Sequence, residues 1–211
     1  MKNIAIIGAG GFGREVQWLI EEINTQFQQW KFLGFIDDNL PVGTVINDSQ
    51  VIGNTEWAKN QDMYVVCAIG DPNTKRKVLD KYTNSKVKFA TLVHPEVKIS
   101  KFNEIGDGTI ICAGCILTVN IKIGNHVILN LDSTVGHDAV IGDYSTILPS
   151  VNISGHVIVS EEVSIGTGSK VIQDLTIGRN TIIGAGAIVT KDIPQNVVAV
   201  GIPAKPIKTR E

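Results

Sequence analysis

Every sixth residue from Val93 to Val189 is valine, isoleucine or leucine, and the register never slips. Among these seventeen positions are Ile99, Ile111, Leu129, Ile147, Ile165 and Ile183. Glycine follows at seven of them, and serine, threonine, cysteine or asparagine at seven more. A helix face recurs about every 3.6 residues and a strand face every second residue, so neither accounts for a six-residue period. A short period held this long specifies a solenoid of stacked coils, the parallel β-helix class. Three hexads make one coil, the leading aliphatics stack into a dry core, and the small residues after them permit tight corners.

What precedes the repeat differs in kind. Ten of the twelve aromatic residues lie before Val93. That predicts an α/β unit over 1–92, an all-β solenoid over 93–193, and a proline-containing tail over 194–211 that closes its end. The α/β unit is expected to cover the other end. Residues 4–7 are an apolar strand running into Gly8-Ala9-Gly10-Gly11-Phe12-Gly13, after which Val16, Leu19, Ile20 and Ile23 fall at helical spacing. Strand, glycine turn and helix open a Rossmann-like unit: Gly8 allows the turn, Gly10 close backbone approach, and Gly13 helix packing, while the helix N-terminus receives an anion. Further strands are expected over 31–36, 63–69 and 87–92, with a helix over 74–82. Asp37-Asp38 and Gly70-Asp71-Pro72-Asn73 then fall at strand tips along one sheet edge, where parallel sheets bind ligands. A carboxylate at the second tip suits a ribose hydroxyl or a base edge. The favoured ligand is a nucleotide. A purely structural turn is one alternative and an NAD-dependent dehydrogenase another, although about 92 residues supply only half of a doubly wound domain.

The formal net charge of −2 and pI near 6.1 argue against nucleic-acid or membrane-surface binding. The apolar start is too short for a leader or for membrane insertion. Cys67, Cys112 and Cys115 form no even disulfide framework, so a cytoplasmic setting is expected. Cys112 and Cys115 make a C-x-x-C at hexad positions two and five, where small residues recur, and no second pair completes a metal site. No metal is expected.

Residues eighteen apart share a column, each about 4.8 Å from the next. His137 shares its column with Val119 and Gly155, and Asp138 with Asn120 and His156. His137, Asp138 and His156 are therefore expected on neighbouring rungs beside a bare Gly155, which leaves room for a ligand chain along the prism. His94 adjoins Pro95 at the junction, and His126 occupies the fourth hexad position, a solvated strand site on this pattern. His156 is a second candidate for function. His137 is the first, because it stands near a corner and imidazole suits a general base at neutral pH. Base and bystander both remain open on the residues alone. Successive histidines are separated by 32, 11 and 19 residues, which lacks the close histidine pair of γ-carbonic-anhydrase-type solenoids.

Several segments together carry a family resemblance: Gly8-Ala9-Gly10-Gly11-Phe12-Gly13, Gly34-Phe35-Ile36-Asp37-Asp38, Ala68-Ile69-Gly70, Asn130, His137-Asp138 and Val200-Gly201-Ile202-Pro203-Ala204-Lys205-Pro206. Over essentially its whole length the chain resembles the bacterial sugar O-acyltransferases, typified by sialic-acid O-acetyltransferases and the UDP-4-amino-sugar N-acetyltransferases of surface-glycan pathways. The resemblance implies a left-handed helix, a homotrimer, and acetyl-CoA in the groove between two prisms. It implies that Gly10, Gly11 and Phe12 lie at the phosphates of a nucleotide-sugar, Asp37 and Asp38 at its base or ribose, and Gly70 and Asn73 nearby. The pantetheine would pass Gly155, Thr167 and Ala185. His137 would take the proton from the sugar's amine or hydroxyl, with Asp138 or Asn130 holding ring or substrate. Some relatives carry a second histidine nine residues after the base, touching CoA; that place is Thr146 here, so location carries over and role does not. Another acyl-thioester donor and a non-catalytic nucleotide-binding trimer are the alternatives.

Overall fold

The computed structural model describes residues 1–210, an α/β unit laid against a β-solenoid. Strand β1 (Lys2–Ile7) is followed by α1 (Gly11–Phe27), β2 (Trp30–Ile36), β3 (Val45–Ile46), β4 (Ser49–Gly53), α2 (Thr55–Ala58), β5 (Tyr64–Cys67), α3 (Pro72–Asp80) and β6 (Lys88–Phe89). The sheet order is β3-β4-β2-β1-β5-β6, parallel except for β3 against β4. On one face Val16, Leu19, Ile20 and Ile23 of α1 pack with Ile4, Ile6 and Phe35. On the other, Ala58 of α2 and Leu79 of α3 close over Ile7, Ile36 and Val65. Gly8 takes φ +97°, and Gly13 sits so close to the Gly8 carbonyl that a side chain there would collide with it. The β3–β4 hairpin and α2 lie outside what apolar periodicity predicts, because elements of two to five residues carry too little pattern. Helix α3 begins at Pro72 rather than 74: Asp71 caps it, accepting the Thr74 N–H at 2.8 Å, and proline occupies its first turn.

From β7 (Leu92–Val93) to β23 (Ile188–Val189) a two-residue strand recurs every six residues, pairing in parallel with the strand eighteen further on. Ile110 pairs with Ile128 on the first face of the prism, Thr134 with Asn152 on the second, and Val140 with Ile158 on the third. The fold is a left-handed parallel β-helix with the expected coil length. Hexad-leading residues from Ile111 to Val189 are buried in one continuous core. From Gly108 to Gly186 the fourth hexad residue turns each corner in the left-handed backbone region, with φ of +57° at Asn120, +59° at Asp138 and +57° at His156. Asparagine and aspartate tolerate that region better than most residues.

The α/β unit does not cap the solenoid, contrary to the expectation above. It lies lengthwise along the first face, where Leu92, Ile110 and Ile128 share a core with α1. The coil end is left open, with Ile99 39% and Phe102 63% exposed. Helix α3 ties the two units together. Lys75 Nζ donates to Thr146 Oγ1 at 3.0 Å, Arg76 pairs with Glu162, and Asn73 Nδ2 donates to Asn180 Oδ1 at 3.0 Å. His126, expected in solvent, is buried in this joint, edge-on to Phe89 and stacked on Tyr144. Burial pushes its imidazole down to about 4.

At the far end the tail does close the helix. Strand β24 (Val197–Val200) extends the first face, β25 (Lys205–Thr209) folds back on it antiparallel, and Ala199 and Ala204 enter the core. Glu211, the last residue of the expected tail, lies outside the described residues. Cys112 and Cys115 are free and buried, and burial drives their thiols up to about 12 and about 11. They are packing residues. Among the described residues no helix is long and apolar enough to cross a membrane.

Candidate active site

The corner between the second and third faces gathers His137, Asp138, Gly155 and His156. His137 Nδ1 lies 2.8 Å from Asp138 Oδ2. A carboxylate can only accept, so Nδ1 carries the proton and Nε2 presents its lone pair. The neighbours converge because Asp138 turns the corner through left-handed backbone, with its N–H donating to the Val119 carbonyl at 3.0 Å. Asp138 also accepts from Asn120 Nδ2 at 3.3 Å on the rung before. The His137 hydrogen bond, and then that from Asn120, hold its carboxyl below the usual carboxylate range. It is an anion that fixes the ring.

Gly155 makes room for that ring. A Cβ there would stand 2.6 Å from both Cε1 and Nε2 of His137. The His156 N–H donates to the His137 carbonyl at 2.9 Å, and its ring meets the His137 ring edge-on with centroids 5.1 Å apart. The cluster predicted from column register is therefore present, and its side chains are exposed enough to meet a ligand.

Three other expected residues stand elsewhere on the prism. Asn130, Thr167 and Ala185 line the corner between the first and second faces, one edge away from His137. Asn130 turns its Oδ1 back onto the Leu131 N–H at 2.7 Å, so within one protomer it holds neither the ring nor a substrate beside it. Thr167 and Ala185 are exposed, one directly above the other, with the Gly186 N–H donating to the Thr167 carbonyl. Thr146 requires a correction. It is 1% exposed and accepts from Lys75 on the covered first face, so it is a residue of the domain joint, not one in a CoA groove. Counting nine residues from His137 located a column; it could not reveal that another domain covers it.

In the α/β unit a cavity of about 120 Å³ opens at the tips of β1, β2 and β5, lined by Gly8, Asp37, Asp38, Thr55, Ile69 and Thr74 among others. Asp37 Oδ2 accepts the Ala9 N–H at 3.0 Å and Oδ1 accepts the Asn39 N–H at 2.9 Å. It therefore shapes the glycine turn from the neighbouring strand. Asp38 is committed to the Thr55 N–H at 2.7 Å and to Lys81 at 2.9 Å. Burial alone would raise its carboxyl, but those bonds hold it below the usual range. Gly10 precedes α1 as an open N-cap, with no side chain capping the helix among the described residues. Gly11 is exposed in the first turn, whereas Phe12 is half-buried against the core. Gly70 is exposed at the tip of β5. Asn73 is half-buried in the first turn of α3, and its Nδ2 donates to Asn180 of the solenoid. Thr55 and Thr74 line the cavity but carry no motif that would single them out.

Comparisons with known proteins agree with this two-part layout. Residues 3–82 match the family model described as the PglD N-terminal domain. The whole chain is 32% identical to GDP-perosamine N-acetyltransferase of Escherichia coli O157:H7, covering 99% of this chain and 97% of that protein. The acetyltransferase domain of PglB from Neisseria gonorrhoeae FA1090, solved in complex with acetyl coenzyme A, superposes with a TM-score of 0.88 at 30% identity, over 98% of this chain and 99% of that one. PerB from Caulobacter crescentus, solved in complex with CoA and GDP-perosamine, superposes with a TM-score of 0.87 at 27% identity, over 98% of both chains.

Proposed function

The chain belongs to the hexapeptide-repeat sugar acyltransferase family, and on that premise we propose that His137 is the general base that moves an acetyl group from acetyl-CoA to the amine of a nucleotide-linked amino sugar in surface-glycan synthesis. It is an acetyl-CoA-dependent sugar acetyltransferase. Relatives named as N-acetyltransferases, and one solved with GDP-perosamine, favour an amine over a hydroxyl and a nucleoside-diphosphate sugar as the carrier.

The observation that carries the proposal is the His137–Asp138 pair, 2.8 Å apart on an exposed edge, with its Nε2 over a bare glycine. A thioester is already activated, so the protein needs only to position two substrates and take a proton. The amine attacks the thioester carbonyl while its proton passes to His137 Nε2. The tetrahedral intermediate collapses, the C–S bond breaks, and the proton returns to the departing thiolate, giving amide and free CoA. Asp138 stabilises the transient imidazolium and keeps the other ring nitrogen protonated.

The sugar-nucleotide is held by the β1–α1 glycine turn with Gly10 and Gly11, by the cavity beside Asp37, and by the tip at Gly70. Acetyl-CoA lies between two prisms of a homotrimer. Gly155 and Thr167–Ala185 occupy different edges of one protomer and can line one groove only from two. We expect His137→Ala to lower turnover by roughly 10² to 10⁴ while sugar-nucleotide affinity is nearly kept. A variant that retains most of its turnover sinks the assignment.

A further inference from the structure

We propose that His137, Asp138 and His156 also form a binding site for a divalent transition-metal ion, Zn²⁺ above all, and that its occupancy silences the enzyme by capturing the base. The inference rests on the reading of His137 as base. The reaction itself needs no metal, and the ion acts against it.

Each of the three side chains offers one ligand atom, and all three atoms lie within 4.8 Å of one another. Asp138 Oδ2 is central, 2.8 Å from His137 Nδ1 and 3.8 Å from His156 Nε2. Zn²⁺ binds imidazole nitrogen and carboxylate oxygen at about 2.0–2.2 Å, which sets tetrahedral ligand atoms roughly 3.3–3.6 Å apart. The first separation must open and the second close by a fraction of an ångström, and the histidine-to-histidine separation, within 4.8 Å, must close by up to about 1.5 Å. All three side chains are free to do so, at 56%, 39% and 57% exposure.

Two imidazoles and a carboxylate are the donor set that zinc prefers over magnesium or calcium. Three protein ligands leave a fourth position open, as in reactive rather than structural zinc sites. The solenoid builds the site without a local motif. Asp138 and His156 turn the same corner on successive rungs, and the His156 N–H to His137 carbonyl bond fixes the rung spacing. Histidines nineteen residues apart thus become neighbours. A metal held here engages a nitrogen of His137 and the carboxylate that orients it, which stops proton transfer.

The test uses the full chain without a histidine tag, stripped of metal. Titration with Co²⁺ should give visible ligand-field bands that saturate at one ion per chain and vanish on adding Zn²⁺. Zn²⁺ should inhibit turnover over the same concentration range. His156→Ala should weaken Zn²⁺ binding by at least about tenfold and relieve the inhibition, read as the ratio of turnover with and without Zn²⁺ in that same variant. Equal Zn²⁺ affinity, or equal inhibition, in His156→Ala and the parent overturns the site. The two readings fail separately. If His137→Ala loses the Co²⁺ bands yet keeps its turnover, the metal site stands and the base assignment falls. If it loses turnover while both histidine variants keep the bands, the reverse holds.

Discussion

At the scale of single residues, the repeat matters because it tells which side chains are neighbours. Gly155 is the clearest case: its column partner is His137, and the imidazole occupies the space a Cβ would fill. Gly155→Ala should therefore fold normally, since the obstructing atoms are the mobile end of a side chain, but should displace the imidazole proposed as the base. Steady-state kinetics should show a fall in kcat of roughly tenfold or more; unchanged kcat would remove Gly155 from the site. Lys75 makes the opposite lesson. Nothing in the sequence marks it, for a lysine on an amphipathic helix ordinarily reaches solvent, yet here it is fully buried between the two units. Burial pushes its ammonium down to about 7 from an ordinary 10.5, with Cys67 and Asp71 acting in the other direction. The unfolded chain therefore binds a proton between pH 10.5 and 7 that the folded one does not, and stability falls as pH drops through that window. Lys75→Met removes the penalty. Its melting temperature should exceed the parent's most at pH 7 and below, with the gap closing toward pH 10.5. A gap independent of pH would show that packing, not charge, decides.

At the scale of elements, long patterns were legible and short ones were not. The hexads predicted coil length, register and the inward set, because each aliphatic has a partner above and below that depends on the same period. The β1–α1 turn was legible because Gly8 and Gly13 each answer a separate backbone demand, a positive φ at one and a close helix–strand approach at the other. The β3–β4 hairpin, α2 and the covering of the first face were not, since no local pattern encodes which outward column another domain will bury. The same limit misplaced Thr146, which is consumed by an α3 contact. Asp37 shows how a motif's meaning shifts once its element is seen. Its two oxygens accept the N–H groups of Ala9 and Asn39, so it braces the turn from the adjoining strand. Asp37→Ala should weaken sugar-nucleotide binding by about tenfold, the scale of one lost charge-assisted hydrogen bond, while leaving the acetyl-CoA affinity untouched. Calorimetry with each substrate separately checks it, and equal losses for both would mean the turn is not a nucleotide element.

At the scale of the whole molecule, the two edges of the second face bear on the proposed trimer. His137 and Gly155 stand on one edge and Thr167 and Ala185 on the other, and the prism is too stiff to fold one edge toward its neighbour. One acetyl-CoA touching both sets would need two protomers, and the proposed three-fold ring would supply three equivalent grooves. The arrangement can be tested by complementation. His137→Ala removes the proposed base, and Ala185→Trp fills the opposite wall of the proposed groove at an exposed position that the core does not notice. Each variant alone should be nearly inactive. Co-expressed in equal amounts and assembled at random, they should recover about a quarter of parental activity, because a groove is intact only when its base comes from one variant and its wall from the other. A site confined to one protomer recovers nothing, since every protomer then carries one of the two lesions. The absence of recovery in mixed trimers of verified composition would place both walls of the groove on a single chain and return the acetyl-CoA path to one edge of the prism.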